Sequence, residues 1–130
     1  MSTRIAIAGL IVTALATSAF AGIRSTSNVT IDLTGRRAWG SLGTARNSAD
    51  TRQGIGCQVV YSSPTWSYGN CYAWDANGVA ASCYVSNGHP FINVMLALES
   101  DSSIRFGWEA NGACSQLTVD AFSWTEPKKP

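Results

Sequence analysis

The chain has 130 residues, 45% of them hydrophobic and only 13% charged, and its formal net charge is +1. This length predicts one domain. The near-balanced charge excludes a nucleic-acid binder working through a broad basic surface and a polybasic membrane-surface protein, and no charged tract reads as disordered.

Met1-Ser2-Thr3-Arg4 gives a short positive start, Ile5 to Ala16 is uncharged and apolar, and Ala19-Phe20-Ala21 supplies small residues at the two positions a signal peptidase reads. This three-part pattern predicts a secretory signal peptide over residues 1–21, cleaved after Ala21. The apolar run is shorter than the roughly 20 residues that span a bilayer. No Cys follows the cleavage point, so a lipid anchor is not expected. The mature chain is expected to be soluble and exported, to the periplasm or the medium. Losing Arg4 leaves it eight basic and eight acidic residues. A domain of this size buries roughly two-thirds of its unfolded surface, enough for one modest core.

Four cysteines, Cys57, Cys71, Cys83 and Cys114, all follow the signal segment. An even count in a small exported chain predicts two disulfides. No C-x-x-C pair is present and His89 is the only histidine, so neither a zinc site nor haem attachment is expected. Three pairings remain open. Cys57 and Cys71 flank a turn at Pro64 on neighbouring strands, which favours Cys57–Cys71 with Cys83–Cys114.

Asn28 to Leu33 alternates apolar and polar residues and predicts a half-buried strand. Residues 35–56 read as loops around one short strand near Arg37–Leu42. Ile55 to Tyr61 predicts a second clear strand, and Ser62-Ser63-Pro64-Thr65 a turn. Trp66 to Asp75 and Val79 to Val85 predict a hairpin about Asn77-Gly78. From Pro90 to Ser100 the period changes. Phe91, Val94, Met95 and Leu98 fall at helical spacing, with Pro90 at a favourable first position, and Ile92 and Leu96 widen the apolar face. Ser103 to Trp108 and Ala113 to Phe122 predict a last hairpin about Asn111-Gly112. Residues 125–130 read as a frayed tail. The expected fold is therefore mainly β: an antiparallel sheet or small sandwich of about six or seven strands, with one short helix and two disulfides, over residues 22–124. Trp74-Asp75-Ala76-Asn77-Gly78-Val79 and Trp108-Glu109-Ala110-Asn111-Gly112-Ala113 share one pattern, read as one turn used twice.

The third strand carries the main candidate site. Trp66, Tyr68, Asn70, Tyr72 and Trp74 share one face of a regular strand, and Cys71 and Ala73 take the other. Exposed, such a row stacks on the apolar faces of sugar rings while Asn70 bonds hydroxyls. Buried, it is sandwich core. A two-residue Asn77-Gly78 loop sets Tyr72 opposite Cys83 and Trp74 opposite Ala81, and makes this face look buried. A three-residue loop instead sets Cys71 opposite Cys83 and exposes the rings. Burial is the expectation, because large apolar surface is rarely left without a partner. In the last hairpin, a two-residue Asn111-Gly112 loop pairs Phe106 with Leu117 and Ile104 with Val119.

Residues that could carry chemistry are sparse. His89 precedes Pro90 at a helix start, where a loop or capping role is the common explanation. Asp50, Asp75, Asp101 and Asp120 are isolated in sequence, and Asp50 reads as part of a packed polar loop. Asp75 and Glu109 sit at strand ends, which weakens any reading of them as a catalytic pair. No catalytic, nucleotide, metal or cofactor motif is present. Asn28-Val29-Thr30 fits a glycosylation acceptor, a weak signal by itself.

The run Gly40-Ser41-Leu42-Gly43-Thr44-Ala45-Arg46-Asn47-Ser48-Ala49-Asp50, followed by Ile55-Gly56-Cys57, resembles small exported bacterial proteins with no assigned function. The likeness extends through Cys71, Cys83 and the Trp108 to Cys114 region. It implies bacterial export and carries no activity and no site residues. Two function classes follow. The first is an exported non-catalytic binding or surface-interaction module, with a glycan or a protein as partner. The second is a small secreted enzyme or enzyme inhibitor whose site forms only in the fold. A non-enzymatic role is the expectation.

Overall fold

The computed structural model describes residues 25–125. Residues 1–24, which include the predicted signal segment, and residues 126–130 of the predicted tail lie outside the described residues. Seven strands form two antiparallel sheets, with two short helices. The first sheet holds β1 (Thr30–Asp32), β2 (Arg37–Ser41), β6 (Ser103–Trp108) and β7 (Cys114–Asp120) in the order β1-β2-β6-β7. The second holds β3 (Gly54–Ser63), β4 (Trp66–Trp74) and β5 (Ala80–Val85) in chain order. The three-stranded sheet is thus inserted between the second and third strands of the four-stranded one.

One core joins both sheets. Ala38, Ile104, Phe106 and Leu117 come from the first, and Cys71, Ala73, Cys83 and Val85 from the second. Phe106, Cys71 and Ala73 have no exposed surface. The strands alternate as a two-faced sheet requires, apolar inward and polar or aromatic outward. Both favoured disulfides are present. Cys57–Cys71 crosses neighbouring positions of β3 and β4. Cys83–Cys114 ties one sheet to the other, beside a hydrogen bond of 3.0 Å from the Tyr84 N–H to the Gly112 carbonyl.

Two helices are present among the described residues, not one. Helix α1 (Leu42–Asn47), six residues long, lies in the stretch whose sequence predicts loops and one short strand. Its N-cap is Ser41, whose Oγ accepts the Thr44 N–H at 3.1 Å and donates to Thr44 Oγ1 at 2.7 Å. Thr44 Oγ1 in turn accepts the Ser27 N–H at 3.0 Å, so this buried polar pair is satisfied. Helix α2 (Phe91–Leu96) is shorter than the predicted Pro90–Ser100. Ile92 and Met95 are buried, whereas Leu96, expected on the apolar face, is exposed. Beyond the helix, Glu99 and Ser102 close a turn: the Glu99 N–H donates to Ser102 Oγ at 3.0 Å. Met95 lies so close over Gly69 that a Cβ there would overlap its sulfur.

The repeated Trp-acid-Ala-Asn-Gly sequence makes the same turn twice, and it encloses three residues rather than the two expected. Asp75 and Val79 close the first, with the Asp75 N–H on the Val79 carbonyl at 3.0 Å; Glu109 and Ala113 close the second at 2.9 Å. Gly78 and Gly112 take φ of 84° and 85°, the left-handed position this loop requires. In the first hairpin the register follows directly, and Cys71 faces Cys83. In the second, Trp108 pairs with Cys114 but Gly107 pairs with Gln116, so Ser115 is set aside in a β-bulge. The bulge restores the expected pairs Phe106–Leu117 and Ile104–Val119 despite the longer loop.

Candidate functional site

The three-residue loop decides which way the aromatic row points. With Cys71 opposite Cys83, the odd-numbered residues of β4 face the core: Gly69, Cys71 and Ala73 are all buried. The even-numbered residues therefore face outward, and the expected burial of the row is overturned. Trp66 is 54% exposed, Tyr68 40% and Trp74 45%. Tyr72 and Asn70 are half-buried. The loop is one residue longer than the two expected, and one residue of register turns every side chain to the other face.

The neighbouring strands complete the surface. Gly54, Gly56 and Gln58 of β3 pair with Trp74, Tyr72 and Asn70; Ala80, Ser82 and Tyr84 of β5 do so from the other side. Tyr84, 46% exposed, stands beside Asn70 and was not singled out in the sequence. The signal was available in principle, since Tyr84 alternates with the inward Cys83 and Val85. Small residues, Gly54, Gly56, Ala80 and Ser82, flank Trp74 and Tyr72 and leave room for their rings. Those two rings are near-parallel, with centroids 5.9 Å apart and planes 15° off. They border a shallow depression of about 200 Å³ with Ala80 and Ser82. From Trp66 to Trp74 the row runs roughly 27 Å at strand spacing. No outward position named here is charged. The polar groups are the Asn70 and Gln58 amides, the Ser82 hydroxyl and the tyrosine hydroxyls.

The residues weighed for chemistry are not brought together. His89 Nδ1 accepts the Phe91 N–H at 3.2 Å and its ring meets Phe91 edge-on at 4.5 Å, so it caps the start of α2. Asp50 accepts the N–H groups of Arg52 and Gln53 at 2.9 and 2.7 Å and the Gln53 side-chain amide at 2.7 Å. These bonds, the Gln53 amide foremost, hold its carboxyl down to about 2. Gln53 then accepts the Val29 N–H at 2.9 Å, so the loop is tied to the strand edge. Asp75 Oδ1 accepts the N–H groups of Asn77 and Val79, both at 2.9 Å, and serves the turn.

The sulfurs of Cys71, Cys83 and Cys114 lie within 4.8 Å of one another, a spacing that could hold a metal if they were thiolates. All four cysteines are in disulfides, and a disulfide sulfur is not a thiolate ligand. Among the described residues no helix is long and apolar enough to cross a membrane. The chain matches no protein-family model, no curated protein and no solved structure.

Proposed function

We propose that this chain is an exported, non-catalytic binding module that holds a neutral polysaccharide on the outer face of β3-β4-β5. The observation that carries the reading is the outward-facing row Trp66, Tyr68, Tyr72 and Trp74, exposed at all but the half-buried Tyr72 and extended by the exposed Tyr84. Ring faces suit pyranose faces, and Asn70, Gln58 and Ser82 supply hydroxyl partners beside them. The absence of charge on these positions favours a neutral polymer over an anionic one. The row is longer than any monosaccharide, which favours a chain. Two disulfides and the Met1–Ala21 pattern support export to an oxidising compartment.

Each stacked ring contributes on the order of 1 kcal/mol. Four or five such contacts leave little affinity once association is offset. The module therefore works by avidity on a polymer surface rather than by tight capture of one sugar. The test is retention on insoluble cellulose and chitin, with a polyuronate gel as the anionic control. The intact chain is expected to be retained on a neutral polymer, and Trp66→Ala and Trp74→Ala to be released from it. Equal retention of the variants, or no retention on either neutral polymer, overturns the reading.

A further inference from the structure

A second cavity lies elsewhere, on the outer face of the four-stranded sheet. It encloses about 230 Å³. Trp39 of β2 and Arg105 of β6 are directly opposed and contribute to it, with Asp120 at the end of β7. Its wall is built by the two ends of the described chain. The Ser25 N–H donates to the Trp124 carbonyl at 2.7 Å, and Phe122 and Trp124 stack with centroids 4.5 Å apart and planes 8° off. Thr125, assigned by sequence to the frayed tail, is buried here.

The two charged groups in this cavity are uncommitted. Arg37, on the same sheet face, is occupied: its Nε bonds Asp32 Oδ2 at 3.0 Å and its guanidinium stands 6.0 Å from the centre of the Trp39 ring. Arg105 and Asp120, by contrast, make no side-chain hydrogen bond or ion pair with any described residue. Arg105 pairs with Thr118 and Asp120 with Ser103, so the two are diagonal neighbours on adjacent strands, within reach of long side chains. They border one cavity without closing it by pairing.

We propose that this cavity binds a small zwitterion, a free α-amino acid with an apolar side chain. The ligand carboxylate takes the Arg105 guanidinium, which presents a fork of donors matched to two oxygens. The ammonium takes the Asp120 carboxylate. The side chain lies against the Trp39 and Trp124 rings, which also favour a nearby cation. An anion alone would leave Asp120 repelling it, and a cation alone would leave Arg105 doing so. Only a ligand carrying both charges uses both groups.

The test is calorimetric or NMR titration of the intact chain with three probes that share a phenyl ring. L-phenylalanine carries both charges, phenethylamine only the cation and hydrocinnamate only the anion. L-phenylalanine is expected to bind about tenfold or more tightly than either analogue, the scale of one charge-assisted hydrogen bond. Arg105→Gln and Asp120→Asn are each expected to remove that advantage while leaving the melting temperature and retention on polysaccharide unchanged. Arg105→Gln is expected to turn the preference toward phenethylamine, and Asp120→Asn toward hydrocinnamate. No binding of L-phenylalanine, equal binding of the three probes, or variants that bind like the parent chain overturns the proposal.

Discussion

Cys71 and Cys83 lie directly opposite each other across β4 and β5, yet they are not bonded to each other. Cys71 is bonded sideways to Cys57 within its own sheet, and Cys83 reaches across to Cys114 in the other. The two bridges therefore differ in what they hold. One reinforces a hairpin that backbone hydrogen bonds already define. The other fastens two sheets that share few backbone bonds.

The two bridges enclose 14 and 31 residues of sequence. Chain entropy alone assigns them about 3 and 3.7 kcal/mol. Cys83→Ala with Cys114→Ala is expected to cost more stability than Cys57→Ala with Cys71→Ala. The inter-sheet position should widen the gap beyond the entropic difference. Denaturant unfolding of the two double variants measures it, and the reverse order would contradict it.

Trp66 and Phe106 should respond oppositely to truncation. Phe106 is fully buried, and Phe106→Ala is expected to cost about 3–5 kcal/mol. Trp66 is more than half exposed, and Trp66→Ala is expected to change stability by less than about 1 kcal/mol. Thermal denaturation of both variants checks this. A large loss for Trp66→Ala would mean that the row is core after all.

Much of the fold was legible in the sequence, because strand alternation and Asn-Gly turns are local signals. The Cys57–Cys71 pairing was legible for the same reason, since the Pro64 turn makes the two strands neighbours. What was not legible depended on single residues. One extra residue in the Asn77-Gly78 loop decided whether Trp66 to Trp74 faced water. Helix α1 was hidden because six residues including Gly43 carry little periodicity, and its stability comes from the Ser41–Thr44 cap and from packing. The cavity beside Arg105 could not be read at all. Ser25, Trp39, Arg105 and Trp124 are far apart in the chain and meet only when Ser25 and Trp124 come together.

Asp50 should make acid stability depend on one loop. Its carboxyl is held down from 3.8 to about 2 by bonds from Gln53 and Arg52. A folded value below the unfolded one stabilises the native state above about pH 4, and that contribution fades as pH falls toward 2. Asp50→Ala is expected to lower the melting temperature near neutral pH, and the gap from the parent chain is expected to close as pH falls toward 2. A gap that stays constant across this window would show that the Asp50 charge contributes nothing.

Ser115 explains how Cys114 and Leu117 both reach the core although they are three residues apart. On a regular strand such residues face opposite sides. The bulge sets Ser115 aside, so Cys114 meets Trp108 and Leu117 meets Phe106 on the inner face. Deleting Ser115 removes only the residue that has no partner. The ladder then runs Trp108–Cys114, Gly107–Gln116, Phe106–Leu117 without interruption, and the Cys83–Cys114 bridge is kept. The variant is expected to fold within about 1 kcal/mol of the parent, as for changes away from the core, and to show no free thiol on titration after denaturation. Deleting Gly107 on the partner strand is the contrast. It removes a paired residue, shifts β6 by one position and turns Phe106 away from the core. Its cost is expected to match or exceed that of Phe106→Ala, about 3–5 kcal/mol. A deletion of Ser115 that exposes two thiols, or costs as much as the deletion of Gly107, would mean that the bulge itself is required to place Cys114.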